Sequence, residues 1–182
     1  MNLWLRLIWL FLTRRSRPPL APPLATSVIS LIVLPNDLDI YRHVNNGRYL
    51  TLMDLGRMDL FLRTGLVEAI KGAGWNPVLS AAQVRYRREL RLWQRFRLET
   101  RIVYWESTTF VIEHRITVRL DGGRDAVATQ ALMRGGLYDR AARAFVPVSA
   151  LLQRLNIDAP SPPITGDVRA FLDAEEALKR AI

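Results

Sequence analysis

The sequence predicts an α+β domain in which an antiparallel sheet wraps around one long central helix. The run from about Asn46 carries Tyr49, Leu50, Leu52, Met53, Leu55, Met58, Leu60, Phe61 and Leu62, apolar on most of a helical circumference, as a helix buried on nearly every side must be. Downstream, residues 95–104 and 108–120 alternate apolar and polar side chains with period two, the pattern of strands with one buried and one wet face. The turn Asp121-Gly122-Gly123 and short connections link these strands, and one helix followed by hairpin-linked strands is an α+β arrangement.

With 182 residues, 49% of them hydrophobic, the chain can fill one core and still carry extensions. The expected division is an apolar and basic N-terminal segment with a Pro-rich linker (1–26), a central domain (27–157), and a Pro-rich linker with a C-terminal amphipathic helix (158–182). No cysteine is present, which excludes a disulfide framework, a thiolate zinc site and a cysteine nucleophile. The two histidines, His43 and His114, are too few for a zinc site, and no metal is expected. Net charge is +9, almost all from arginine, which favours anionic partners.

Taken in order, Leu3 to Leu12 is nearly all large and apolar, with Trp4, Trp9 and the single Arg6, and Arg14, Arg15 and Arg17 follow. At about 1.5 Å per residue this run is too short to cross a bilayer core of about 30 Å. Its charge follows the apolar run instead of preceding it, which argues against a cleaved export signal and for a cytoplasmic protein. Two readings remain open for this segment. One is a helix lying on the inner membrane surface, with residues 1–17 as a peripheral contact; the other is a helix packed on the protein's own oligomer. Residues 17–23, with four of the ten prolines, read as an extended linker.

Thr26 to Leu34 suits a first strand ending at Pro35. The long helix begins near Asn46, with Asn45 or Asn46 as N-cap, and Gly65 closes it. Leu66 to Lys71 is a short helical turn before Gly72-Ala73-Gly74. Pro77 to Leu90 reads as strand. Arg95 to Tyr104 places Phe96, Leu98, Thr100, Ile102 and Tyr104 on one face, and Thr108 to Leu120 does the same with Phe110, Ile112, His114, Ile116 and Val118. Ala126 to Tyr138 is a further strand, with Gly135-Gly136 marking a bulge or a close approach. Val148 to Leu155 is a short helix. From Asp167, Val168, Phe171, Leu172, Leu178 and Ile182 fall at helical spacing, an amphipathic helix for the domain or a partner.

Chemistry gathers in Asp37-Leu38-Asp39-Ile40-Tyr41-Arg42-His43-Val44-Asn45-Asn46-Gly47-Arg48-Tyr49, two carboxylates, an imidazole and two amides against a helix start. Such residues cap helices and fill turns in most proteins, and that reading stands beside any catalytic one. The pattern Asp-x-Asp-x-x-x-His-Val-Asn-Asn-x-x-Tyr, followed on the helix by Asp54 and Arg57, resembles the 4-hydroxybenzoyl-CoA thioesterase family of hotdog-fold proteins. The wording Asn-Asn-Gly-Arg-Tyr-Leu-Thr-Leu-Met-Asp-Leu-Gly-Arg is most similar to the thioesterase superfamily member six-like group. The resemblance runs from about Ser27 to Leu155.

It implies a hotdog fold, hydrolysis of an acyl-CoA thioester, and sites at subunit interfaces of a homodimer or homotetramer. It also implies that Asp39 is the nucleophile or general base and that the backbone N–H of Asn46 polarises the thioester carbonyl. Free N–H groups at a helix N-terminus suit a developing oxyanion. Asp37 is the fallback carboxylate and His43 a support for the loop. Asn45 and Tyr49 are candidates for substrate contact, and Arg87, Arg88 and Arg91, from an arginine-rich stretch, for the phosphates of coenzyme A. A solvated basic face is the plain alternative for those arginines. Asp54 and Arg57 are expected to pair, and His114 to be a core histidine. Trp75, Val78 and Leu79 suit either an apolar tunnel or core packing. No cofactor is expected beyond the coenzyme A of the substrate, and no nucleic acid. The alternative function is a membrane-associated acyl-thioester binding or scaffold protein with little turnover; a dehydratase of the same fold lacks an assignable His and Glu pair.

Overall fold

The structure, a computed structural model, describes residues 2–181. Helix α1 (Asn2–Thr13) leads through a 3₁₀ turn and the Pro-rich segment to strand β1 (Ser27–Ile32). Another 3₁₀ turn (Pro35–Asp37) precedes helices α2 (Asn46–Arg63) and α3 (Leu66–Ala73). Strands β2 (Trp75–Tyr86), β3 (Arg95–Glu106), β4 (Thr109–Arg119), β5 (Asp125–Asp139) and the short β6 (Ala144–Phe145) follow, then helices α4 (Val148–Arg154) and α5 (Gly166–Arg180). All pairings are antiparallel, in the order β1-β3-β4-β5-β2 with β6 on β5, so β1 and β2 are the free edges.

The sheet curls around α2, as the apolar circumference of that helix predicts. Leu52, Met53 and Leu55 pack with Ile29, Phe96, Leu98, Ile116 and Met133 in one core. Helix and sheet approach most closely at Gly56, where a Cβ would lie 2.2 Å from Thr100 Oγ1 and 3.0 Å from the Leu98 side chain. The glycine is what lets α2 sit down on β3.

Several expected boundaries move for identifiable reasons. Strand β2 ends at Tyr86 rather than Leu90, because the N–H groups of Arg87 and Arg88 both converge on the Ala128 carbonyl and break the ladder. The alternation in β3 does not hold to Tyr104. A register shift between Ile102 and Tyr104 turns Trp105 into the core, while Tyr104 joins the outer face. Gly135 and Gly136 mark a close approach: added Cβ atoms would meet the Val78 carbonyl at 2.9 Å and the Thr108 carbonyl at 2.8 Å. The bulge itself lies opposite, between Leu79 and Ala81 of β2. Helix α5 covers the outer face of the sheet, with Val168 and Phe171 against Val111 and Leu132; Ile182, expected in that helix, lies outside the described residues.

Neither reading of the N-terminal segment foresaw its packing on its own protomer. Leu10 is buried, and Leu3 and Leu7 pack against the main core. The Pro-rich segment is fastened to the end of α2, with the Leu20 N–H donating to the Arg63 carbonyl at 2.9 Å and Arg63 Nε to the Pro18 carbonyl at 2.9 Å.

Gly56→Ala is expected to destabilise the fold by about 1–3 kcal/mol, the usual range for overpacking a filled core. A urea denaturation series on the two proteins checks it, and an unchanged midpoint would disprove the close-contact account.

Candidate active site

The motif folds as a tight loop ahead of α2. Leu38 and Val44 form an isolated antiparallel bridge, and the Asp39 N–H donates to the His43 carbonyl at 2.9 Å. Arg42 takes a left-handed conformation (φ 66°) to close the turn. The far side is anchored to the loop after β2, where the Val44 N–H donates to the Leu90 carbonyl and His43 bridges Arg91.

The two carboxylates of the motif have different fates. Asp37 is 1% exposed and fully engaged. Its Oδ2 accepts from the Leu34 N–H at 2.9 Å and from Arg6 Nη2 at 2.7 Å, and its Oδ1 from Arg48 Nε at 2.9 Å. Burial alone would raise this carboxyl, but the Leu34 N–H and the two guanidinium groups outweigh it and hold Asp37 below the usual carboxylate range. With both oxygens committed inside the protein, the fallback carboxylate is a structural group. Asp39 is partly open. Its Oδ1 accepts from the Tyr41 N–H at 2.9 Å and its Oδ2 lies 3.3 Å from His43 Nδ1, an imidazole that Tyr41 stacks against. His43 thus sits inside the loop, between the Asp39 carboxylate and the Tyr41 ring.

Asn45, not Asn46, is the N-cap of α2. Its Oδ1 accepts from the Gly47 N–H at 2.9 Å and its carbonyl from the Arg48 N–H at 2.8 Å. That use of the side-chain oxygen departs from the expected substrate contact. Asn46 opens the helix, and among the described residues its N–H has no acceptor. Asn46 is an exposed residue at the positive end of an 18-residue helix dipole. The Tyr86 hydroxyl holds the Asn46 carbonyl at 2.9 Å and fixes the peptide that precedes Gly47.

The candidate substrate contacts divide. Tyr49 is 2% exposed, edge-on to Tyr86, and burial raises its phenol; in this protomer it is a core residue. Arg87, Arg88 and Arg91 are exposed and close to the motif loop, Arg91 through its bridge to His43, although Arg91 also pairs with Glu89 at 2.5 Å.

A second polar group, set aside by sequence reasoning as a simple pair, lies farther along α2. Asp54 pairs with Arg57, and Arg57 Nη1 lies 3.3 Å from His114 Nε2, while His114 Nδ1 lies 3.0 Å from Thr100 Oγ1. Arginine only donates, so Nε2 accepts and the ring proton sits on Nδ1, directed at Thr100. His114 is fully buried, and burial followed by the nearby Arg57 pushes it well below the ordinary histidine range, so the ring is neutral. Burial raises the Asp54 carboxyl in spite of Arg57. Asp54, Arg57 and Phe61 of α2 line a cavity of about 270 Å³ together with Val78, Leu79 and Phe110 of the sheet. Of the two readings open for these residues, Val78 and Leu79 line a cavity, whereas Trp75 packs against the second core cluster. Among the described residues no cluster suits a metal ion.

The pattern that defines the thioesterase-like superfamily matches residues 33–156, a stretch holding the whole motif, the central helix and the five long strands except β1. The chain belongs to that superfamily. Among curated relatives of this thioesterase-like chain, Protein THEM6 of Xenopus laevis is 39% identical over 116 residues, 64% of this chain and 56% of that protein. The chain thus matches little more than half the length of that relative. Among solved structures, the probable thioesterase YbaW from Escherichia coli superposes with a TM-score of 0.64 at 21% identity, covering 70% of this chain and 95% of that one. The 4-hydroxybenzoyl CoA thioesterase from Pseudomonas sp. strain CBS-3 gives 0.62 at 15% identity, over 71% and 98%. At these identities the likeness establishes the hotdog fold. Helix α1 and the Pro-rich segment lie outside the superfamily match.

Two outcomes follow from the buried groups. Asp37→Asn removes the countercharge of buried Arg6, and a loss of about 3–5 kcal/mol in unfolding free energy is expected; chemical denaturation measures it, and a loss below about 1 kcal/mol would contradict the enclosed pair. His114 stays neutral in the fold but takes up a proton near its ordinary value of 6.5 once unfolded. Its contribution is therefore complete above that pH and falls as pH drops below it, by about 1.4 kcal/mol per pH unit. Urea midpoints between pH 7.5 and 5.5 test this, and a flat profile would refute it.

Proposed function

We propose that the protein hydrolyses an acyl-CoA thioester, with Asp39 as the carboxylate and the Asn46 N–H as the oxyanion donor. The observation that carries this reading is that, among the described residues, the Asn46 N–H at the start of α2 has no acceptor and Asp39, in the same motif loop, has no guanidinium partner. In the proposed step Asp39 activates a water, or attacks directly, at the thioester carbon. The carbonyl oxygen gains negative charge against the Asn46 N–H and the helix dipole. The carbon–sulfur bond breaks, and the thiolate of coenzyme A leaves and takes up a proton; water supplies the oxygen of the carboxylic acid product, either in the same attack or by cleaving the acyl–Asp39 anhydride that direct attack forms, which frees the Asp39 carboxylate. Membership of the thioesterase-like superfamily supports the reaction class, and the enclosure of Asp37 favours Asp39 between the two carboxylates.

Arg87, Arg88 and Arg91 are the proposed contacts for the phosphates of coenzyme A, since guanidinium groups suit phosphate oxygens. No metal or redox cofactor enters the scheme. The proposed assembly is a homodimer or homotetramer. Strand β2 is a free edge with Val78 and Leu79 exposed, and both residues line the 270 Å³ cavity. Such an edge calls for a cover. A cytoplasmic protein touching the inner membrane surface through residues 1–17 completes the reading. No helix among the described residues is long and apolar enough to cross a membrane, yet α1 exposes Trp4, Leu5, Ile8 and Leu12. That face favours a second reading, a membrane-associated acyl-thioester binding or scaffold protein, because hydrolysis has no use for it.

Release of free thiol from short, long and aromatic acyl-CoA substrates decides between the two. Asp39→Asn is expected to lower kcat/KM by about 10²–10⁴-fold, the range for a lost general base, with an unchanged far-UV circular dichroism spectrum. Full activity in Asp39→Asn would overturn the assignment. Tight acyl-CoA binding without turnover by the unsubstituted protein would select the binding protein instead.

A further inference from the structure

A groove of about 410 Å³ lies between α1 and the free edge of β1, and neither Asp39 nor Asn46 lines it. Its walls are apolar, with Leu5 and Trp9 from the helix and Leu31, Ile32 and Leu34 from the strand and its exit, and Arg95 of β3 belongs to its lining. The volume falls within the roughly 300–1,000 Å³ typical of small-molecule clefts. Leu5, Trp9 and Ile32 are 71%, 42% and 36% exposed, a large apolar surface to leave in water.

The polar groups of the groove narrow what can fill it. Arg6 is already committed, with Nη2 donating to Asp37 at 2.7 Å and to the Ile32 carbonyl at 2.8 Å. That second bond occupies the outward carbonyl of the edge strand where α1 crosses it, so a pairing strand would have to displace a helix whose Leu10 is 1% exposed. An added strand is therefore a poor occupant. Arg95 is exposed and forms no ion pair among the described residues. Ser30 supplies the remaining polar side chain of the lining. The groove thus asks for a ligand that needs no backbone hydrogen bonds, is apolar along its length, and carries a single negative charge at one end.

We infer that the α1–β1 groove binds one long-chain fatty acid, its hydrocarbon tail along Leu5, Trp9 and Ile32 and its carboxylate on Arg95. The inference does not depend on the thioesterase reading, because neither Asp39 nor Asn46 lines the groove. A bilayer would meet the apolar side chains of α1 outside this lining, Trp4, Ile8 and Leu12. It would present two-chain lipids rather than one chain and one charge.

Brominated stearate, titrated below its micellar concentration into the full chain, is the probe, since bromine quenches tryptophan fluorescence only at contact. Quenching that saturates at one equivalent is expected, with most of it lost in Trp9→Phe. Arg95→Glu and the groove-filling Ser30→Trp should each weaken binding at least ten-fold, and the brominated alcohol of equal length should bind at least ten-fold more weakly than the acid. Circular dichroism verifies that each variant is folded, and Arg95→Gln serves if Arg95→Glu is not. Quenching that never saturates, or that Ser30→Trp leaves unchanged, would overturn the inference in favour of adsorption on the exposed face of α1. Quenching by brominated anionic vesicles but not by the monomeric acid would assign the surface to a bilayer. A dimer in sedimentation velocity that Ser30→Trp dissociates, with no stearate binding, would assign it to a second copy of the chain.

Discussion

The buried carboxylate of Asp37 is the constraint on which the arrangement of this molecule depends. An ionised carboxylate removed from water needs both countercharge and hydrogen bonds, and losing either costs several kcal/mol. Asp37 draws them from three places: the Leu34 N–H beside it, Arg48 in the first turns of α2, and Arg6 on α1. Its own carbonyl also accepts from the Asn45 N–H at 3.0 Å, which sets the residue that caps α2. One side chain thereby fixes the docking of the N-terminal helix, the path of the motif loop and the starting point of the central helix. Asp59 repeats the device at the other end of α2. It takes Arg17 at 2.5 Å, Ser27 Oγ at 2.6 Å and Arg63 at 3.1 Å, so the Pro-rich segment is held as firmly as α1.

With its two ends fixed in this way, α2 can be pressed onto the sheet at Gly56 and can leave a donor unused at its first residue. The cap matters for what remains. Asn45 satisfies Gly47 with its side chain and Arg48 with its carbonyl, which concentrates the unmet hydrogen-bonding demand of the helix start on Asn46. The hydroxyl of Tyr86 on the Asn46 carbonyl then holds the next peptide, between Asn46 and Gly47, from β2. A helix N-terminus of this kind is a position for negative charge before any ligand arrives.

Much of this was legible from residue order alone. Period-two alternation located β3 and β4, the apolar circumference located α2, and the Asp-Asn-rich loop located the polar site, because each is a local pattern that burial imposes on neighbouring residues. What was not legible depends on distance in sequence. That Arg6 serves Asp37 requires knowing that two segments 31 residues apart meet. The inward turn of Trp105 depends on a bulge that no side chain announces. Tyr49 looked available because it is the last residue of the motif, yet its helical position directs it into the core, where it is 2% exposed. The cavity wall at Asp54 was hidden for a related reason: the spacing of Asp54 and Arg57 signals a pair, but not the apolar surfaces of β2 and β4 that close around it.

The four aspartates that border α2 show how one residue type is divided between structure and chemistry. Asp37 and Asp59 are almost wholly enclosed and each takes two guanidinium groups; Asp54, partly exposed on a cavity wall, takes one. Asp39 takes none among the described residues; its partners are a backbone N–H and an imidazole. Of the four, Asp39 is therefore the one whose charge is left without a guanidinium among the described residues. The turn explains how it is kept so: Arg42, the residue closing it, is exposed in a left-handed conformation, and Arg91, bridged to His43, pairs with Glu89 instead. The carboxylate with uncommitted lone pairs is therefore the one in the same loop as the uncommitted N–H of Asn46, and a thioester carbonyl is a group that needs both.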